Sequence, residues 1–179
     1  MGFTPYSGPA SAFPPSSTWK TFDEIFNANK AEMLQTGDTE SDVSHIHTAV
    51  LQAAKEIGVE ERVIFCIIMQ ESTGNVGVGT TIDNGQKPTG GLMQAEESPA
   101  FPGQHNLPQS DITAMVMAGT KHFKGNLEQE GDADNAVTIY EALRLYNSGR
   151  IDKRNLSNPE GATASYVSDI ANRLQGRTN

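Results

Sequence analysis

The feature that most constrains this chain of 179 residues is an uninterrupted apolar run at residues 63–69, which leads into Gln70, Glu71 and Ser72. Periodicity alone would also allow a strand, but the neighbouring segments are helical. A segment that is apolar on nearly every side is buried, and we predict a central buried helix over about residues 60–71. Burial at the edge of a dry core raises the pKa of a carboxyl group. Because a raised pKa suits a general acid, Glu71 is a candidate catalytic residue.

Helical periodicity around this run predicts further helices. Their approximate bounds are residues 19–34, 43–57, 110–123, 133–146 and 162–174. In the helix over 133–146, Val137, Tyr140 and Leu143 are expected to face inward. The dipeptide Asn84-Gly85 is a hairpin signal, so residues 80–82 and 87–89 are expected to form a small β-element. The predicted fold is mainly α, with one β-patch beside a cleft at the central helix.

Composition limits the classes of protein to which the chain can belong. Four prolines among Ser, Gly and Thr in residues 1–18 predict an extended arm or linker without a core element, which leaves residues 19–179 as one domain. A net charge of −9 argues against nucleic-acid binding. No apolar run approaches the roughly 20 residues of a membrane span. The single cysteine, Cys66, lies inside the apolar run and is interpreted as a buried hydrophobic residue.

Two later segments add polar groups to the candidate site. The first is Gly-Gly-Leu-Met-Gln at residues 90–94, where glycine backbone can lie close to a ligand and the amide of Gln94 can bind sugar hydroxyls. The second is Tyr-Asn-Ser-Gly at residues 146–149, where the hydroxyl of Tyr146 can face a substrate or Glu71. Each segment alone is also typical of an ordinary turn or helix end.

Taken in order, four short motifs resemble those of goose-type lysozymes and lytic transglycosylases of the lysozyme superfamily. They are Glu-Ser at 71–72, Gly-Leu-Met-Gln at 91–94, Tyr-Asn-Ser-Gly at 146–149 and Thr-Ala-Ser-Tyr-Val at 163–167. The resemblance extends from about Val43 to Leu174. Ala162 stands where the family usually has Glu, and residues 1–40 have no counterpart. The stretch between the first two motifs is close in length to that of goose-type lysozymes.

This resemblance implies a lysozyme-like fold and assigns roles to particular residues. Glu71 would be the general acid, Ser72 would orient it, and Asp83 with Glu96 would hold a water molecule. The remaining residues would bind or support the sugar, namely Gly91, Met93, Gln94, Tyr146, Asn147 and Tyr166. Asp83 can equally form an Asx turn that leads into Asn84, and Glu96 can be a solvated surface charge.

The activity that the resemblance implies is hydrolysis of β-1,4 bonds in peptidoglycan by a secreted, monomeric muramidase. Lytic transglycosylation, hydrolysis of another β-1,4-glycan such as chitin or mannan, and non-catalytic glycan binding remain open. Neither a cofactor nor a metal is expected. His45 and His47 would face different sides of a helix, and residues 132–134 lack the glycine and terminal glutamate of a calcium loop.

Overall fold

The structure is a computed structural model that describes residues 2–82 and 87–179. In this part of the chain there are six α-helices and one antiparallel sheet of two short strands. The prediction of a mainly α fold with a small β-patch is therefore confirmed. No described helix is both long enough and apolar enough to cross a membrane.

The elements follow the predicted order. The helices are α1 (Phe22–Gln35), α2 (Glu40–Ala53), α3 (Glu61–Ser72), α4 (Gln109–Gln129), α5 (Ala136–Ser148) and α6 (Tyr166–Leu174). The strands are β1 (Thr89–Gly90) and β2 (Ala95–Glu96). Short 3-10 helices span Ala10–Ala12 and Ser16–Thr18, and a π-helical turn, Ala54–Gly58, follows α2. The chain divides into a central unit, Phe26–His122, and a terminal unit, Met1–Ile25 with Phe123–Asn179.

Helix α3 is the core of the central unit. All seven residues of the apolar run at 63–69 are buried, and the ring of Phe65 packs against that of Phe26 with centroids 5.1 Å apart. The helix ends at Thr73, which has a left-handed backbone (φ 56°) and donates its N–H to the carbonyl oxygen of Met69. The helical interpretation of the apolar run is confirmed, because the whole run lies within α3.

Helix α2 packs against α3 and begins with a reciprocal cap. The Thr39 hydroxyl accepts a bond from the Asp42 N–H, and the Asp42 carboxylate accepts one from the Thr39 N–H. Such a capping box satisfies two amide groups that have no partner inside the helix. At the other end the π-helical turn closes at Gly58, whose φ of +82° favours glycine.

The sheet frames the second motif. Thr89 pairs with Glu96 and Gly90 with Ala95, so residues 91–94 form the turn between β1 and β2. Thr81 and Thr89 also exchange two backbone hydrogen bonds, of 2.8 and 2.9 Å. The chain therefore pairs 81 with 89, as the hairpin prediction requires, while the predicted Asn84-Gly85 turn lies outside the described residues.

The terminal unit includes core residues that composition did not predict. We expected an arm without a core element at residues 1–18, but Ala10, Phe13 and Pro14 are buried. The Tyr140 hydroxyl of α5 donates to the Pro14 carbonyl oxygen at 2.5 Å and accepts from the indole nitrogen of Trp19 at 3.0 Å. Proline and serine content gave no sign of this packing, because it depends on two isolated aromatic residues meeting a distant helix.

Two details of the terminal helices differ from prediction. Val137 was expected to face inward but is 45% exposed, because the buried face of α5 begins with Thr138 and Ile139 instead. Helix α6 begins at Tyr166 rather than near Ala162. The residues before it form exposed turns whose backbone groups bind α5 instead of continuing the helix.

Candidate active site

The last turn of α3 carries Glu71 and Ser72, the first two candidates from the sequence. The Ser72 hydroxyl oxygen lies 2.8 Å from the carbonyl oxygen of Leu92 and 3.0 Å from that of Ile68. We expected this hydroxyl to orient Glu71, but its one hydrogen is directed at these carbonyl groups. Ser72 therefore connects the end of α3 to the turn at residues 91–94.

Glu71 lies at the boundary between the dry core and the surface. It is half-buried, whereas Ile67 and Ile68 in the preceding turn are fully buried. The backbone beyond it turns away through Thr73 and Gly74, both with positive φ. The carboxyl group is thus carried at the end of a rigid, well-packed helix, which holds a reacting group more precisely than a loop would.

Gly91 is required by its own surroundings. Its φ is +71°, and a Cβ placed there would lie 2.5 Å from the hydroxyl of Ser98 and 2.7 Å from the carbonyl oxygen of Pro99. From the sequence we expected a ligand to lie close to the backbone of this glycine. The contacts show that the protein's own backbone and side chains already exclude a side chain at this position.

Gln94 fastens the turn to the neighbouring strand segment. Its amide nitrogen donates to the carbonyl oxygens of Gly79, at 3.1 Å, and Gly91, at 3.0 Å, while its amide oxygen accepts from the Thr81 hydroxyl at 3.0 Å. Both amide hydrogens are therefore engaged within the protein, and the amide oxygen retains one acceptor position. Its role in shaping the turn was not predicted from the sequence.

Met93 belongs to the core of the central unit. It is 1% exposed, and a Cβ at Gly119 of α4 would lie only 2.3 Å from the Met93 Cβ. The hydroxyl of Thr120 contacts its sulfur at 3.8 Å. The predicted role in lining a sugar site does not fit this burial, because Met93 packs into a gap that a glycine leaves on α4.

Of the two candidates for a second carboxylate, the structure describes only Glu96. Asp83 lies outside the described residues. Glu96 is exposed on β2, beside an exposed ion pair in which the ammonium nitrogen of Lys87 is 3.1 Å from a carboxylate oxygen of Glu97. The hydrogen bond to Glu97, and then the charges of Glu97 and Glu96, raise the pKa of Lys87. Glu96 thus provides a solvent-accessible carboxylate two residues beyond Gln94, the last residue of the turn.

The third and fourth motifs meet in the terminal unit. The amide oxygen of Asn147 accepts hydrogen bonds from the Arg144 guanidinium and from the backbone N–H of Thr163, the latter at 2.9 Å. Tyr146 is half-buried and packs edge-on against Phe123, with centroids 6.0 Å apart. Asn147 was predicted to contact sugar, whereas its side-chain oxygen joins α5 to the segment before α6.

Tyr166, the last of the predicted site residues, is the first residue of α6. It is 3% exposed, so its ring is part of the core of the terminal unit. Its predicted role in supporting the floor of a sugar site stays a prediction.

Arg144 is a residue that the sequence interpretation missed. It is fully buried on α5 and donates to the carbonyl oxygens of Leu156, at 3.2 Å, and Thr163, at 3.0 Å, as well as to Asn147. Burial lowers the pKa of this guanidinium. Its helical spacing could have indicated that Arg144 is buried, because it follows Tyr140 by one turn on the inward face of α5.

The site geometry thus links the four motifs in pairs. Ser72 bonds to Leu92 in the central unit, and Asn147 bonds to Thr163 in the terminal unit. No protein-family model matches the chain.

Proposed function

We propose that the chain is a glycoside hydrolase of the lysozyme superfamily that cleaves β-1,4 bonds of peptidoglycan. Glu71 is the general acid. The observation that carries this proposal is the 2.8 Å contact between the Ser72 hydroxyl and the Leu92 carbonyl oxygen. It brings the helix end that carries the acid against a glycine turn, across twenty residues of sequence.

In this mechanism the carboxyl group of Glu71 donates its proton to the glycosidic oxygen as the bond to the anomeric carbon breaks. This carboxyl group lies at the end of α3, beside fully buried residues. Partial exposure gives the sugar access to it. A proton transfer of this kind contributes typically ~10²–10⁴-fold to the rate.

Hydrolysis also needs a water molecule at the anomeric carbon. Asp83 is proposed to activate that water, with Glu96 as a second candidate. The distance between the two carboxyl groups decides the stereochemistry: ~6.5–9.5 Å accommodates a water and inverts the configuration, whereas ~5–5.5 Å implies a nucleophile and retention. The proposed substrate is extracellular, so the enzyme acts after secretion.

The central test compares Glu71→Gln with Glu61→Gln, an equal charge change in the first turn of the same helix. Purified peptidoglycan is incubated with each variant and the release of reducing ends is measured. We expect Glu71→Gln to lose roughly two to four orders of magnitude of activity with an unchanged circular dichroism spectrum, and Glu61→Gln to remain active. Equal activity of both variants would overturn the proposal.

Product analysis separates the proposal from its alternatives. Hydrolysis gives reducing muramic ends, whereas transglycosylation gives anhydro ends that are lighter by one water. Chitin and mannan, supplied in parallel, test the other β-1,4-glycans. A non-catalytic glycan-binding module would bind peptidoglycan without product, equally in wild type and Glu71→Gln.

A further inference from the structure

Asp38, in the link between α1 and α2, is a buried carboxylate with one oxygen unused. Its Oδ1 accepts the N–H of Val76 at 3.0 Å and lies 3.1 Å from Nδ1 of His105. Its Oδ2 is buried and has no hydrogen-bond partner. A buried polar atom of this kind is rare in a native protein and requires an explanation.

A second carboxylate, Asp42, lies beside it and is also fully buried. Its Oδ2 accepts the N–H groups of Thr39 and Asn106, at 2.9 and 2.8 Å, and its Oδ1 accepts that of Leu107 at 2.8 Å. Three backbone donors fix the orientation of this group. Supporting hydrogen bonds of this type are common around carboxylates that bind metals.

These two acids and His105 converge. One potential ligand atom from each of the three lies within 4.8 Å of the other two. Among the described residues, His105 is the one basic side chain recorded within 4 Å of either carboxylate. Burial raises the pKa of Asp38 to about 6, with the Asp42 charge as a lesser cause. Two adjacent buried carboxylates with one imidazole leave negative charge uncompensated.

Two glycines leave room for the His105 ring. A Cβ at Gly37 would lie 3.2 Å from its Nε2, and a Cβ at Gly77 would lie 3.1 Å from the same atom. Gly77 would in addition meet the backbone oxygen of Gln104 at 2.6 Å. The ring therefore occupies a slot that side chains at these positions would close.

We propose that Asp38, Asp42 and His105 bind a divalent transition-metal cation of the zinc class. Two carboxylate oxygens and one imidazole nitrogen are a ligand set that zinc accepts, with water completing the coordination. Calcium takes six to eight oxygen ligands, more than this cluster supplies. The unused Oδ2 of Asp38 and the uncompensated charge are the two features that such a cation satisfies.

A cation here would join three segments: the link before α2, the turn that contains Val76 and the loop that contains residues 104–107. Val76 is four residues beyond Ser72, in the turn that follows α3. The bound cation would therefore stabilise the chain immediately after the helix that carries Glu71. This inference does not depend on the proposed glycosidase activity.

The test uses the full chain stripped of metal with a chelator and then dialysed. Thermal unfolding and isothermal titration calorimetry are carried out with zinc chloride and, separately, calcium chloride. The variants are Asp38→Asn, which keeps an acceptor for Val76, and His105→Gln. The matched control is Asp134→Asn, an exposed aspartate outside the cluster.

We expect wild type and Asp134→Asn to bind one zinc ion, with a rise in Tm of about 5–10 °C at one hundred times Kd. Asp38→Asn and His105→Gln should lose most of that rise. An equal zinc-dependent rise in wild type and Asp38→Asn would overturn the proposal, as would the absence of any rise in wild type. A larger rise with calcium than with zinc would overturn the assignment of the metal class.

Discussion

The hydroxyl oxygen of Ser72 lies 2.8 Å from the carbonyl oxygen of Leu92, which joins the end of the buried helix α3 to the turn between β1 and β2. Leu92 is itself fully buried. If the Ser72 hydroxyl is removed, the carbonyl oxygen of Leu92 loses this hydrogen-bond donor. Water does not readily replace the donor at a buried position. The bond therefore bears on both stability and the position of Glu71.

We predict that Ser72→Ala lowers the free energy of unfolding by about 1–2 kcal/mol. Activity on peptidoglycan should fall by about ten-fold or more, because small displacements of a reacting group are costly. Urea unfolding and the rate of reducing-end release measure the two effects. Ser44→Ala, at an exposed position of α2, should change neither, and a similar loss in that control would contradict the interpretation.

Replacing glycine by alanine should change stability in opposite directions at two positions. Gly91→Ala places a Cβ 2.5 Å from the Ser98 hydroxyl at a φ of +71°, so we expect a loss of roughly 2 kcal/mol or more. Gly125, inside α4, has open space around it. Gly125→Ala should therefore raise stability by about 0.5–1 kcal/mol. Thermal unfolding of the two variants provides the measurement, and equal shifts in Tm would show that the turn relaxes freely.

Replacement of the buried guanidinium should destabilise the terminal unit. Arg144→Met removes the donors to the carbonyl oxygens of Leu156 and Thr163 and to the amide of Asn147. We expect a loss of about 3 kcal/mol, since buried acceptors are left unsatisfied. Arg150→Met makes the same change at an exposed position and should cost less than about 0.5 kcal/mol. Chemical denaturation of both variants distinguishes a buried network from a general effect of lost charge.

Periodic patterns predicted most of the fold because they reflect burial directly. The run at 63–69 and the spacing of Ile112, Met115 and Val116 mark faces that are buried in the structure. The packing of Phe13 and Trp19 against Tyr140 has no periodic signal, since it joins residues that lie more than a hundred positions apart. A proline-rich composition describes the local backbone and carries no information about such distant contacts.

The sequence indicated which segments carry the polar residues of the candidate site, but it did not predict what their side chains bind. The sequence indicated Gln94 and Asn147 as sugar contacts, yet their side chains hold the turn and the segment before α6. A polar residue in a short motif looks the same whether it binds a ligand or the backbone. The cluster of Asp38, Asp42 and His105 was missed for a related reason, because His105 lies more than sixty residues after the two aspartates and meets them only in the folded chain.

Tyr140 links α5 to the N-terminal segment, and its removal should be destabilising at neutral pH. Tyr140→Phe leaves the Pro14 carbonyl oxygen without this donor and the Trp19 indole without its acceptor. We expect a loss of about 1–3 kcal/mol in the free energy of unfolding at pH 7, from two buried groups that lose a partner. Urea unfolding of the variant and wild type at pH 7 provides the comparison.

The stability lost through the same substitution should become smaller in alkali. Burial raises the pKa of Tyr140 from its usual 10 to about 12. Because the unfolded chain releases this proton first, wild-type stability is unaffected below about pH 10 and falls as the pH rises toward 12, by roughly 3 kcal/mol at most. Tyr140→Phe has no such proton, so the stability difference measured at pH 7 should narrow or reverse by pH 11.5. A constant difference between pH 8 and 11.5 would show that the hydroxyl does not titrate from its buried position.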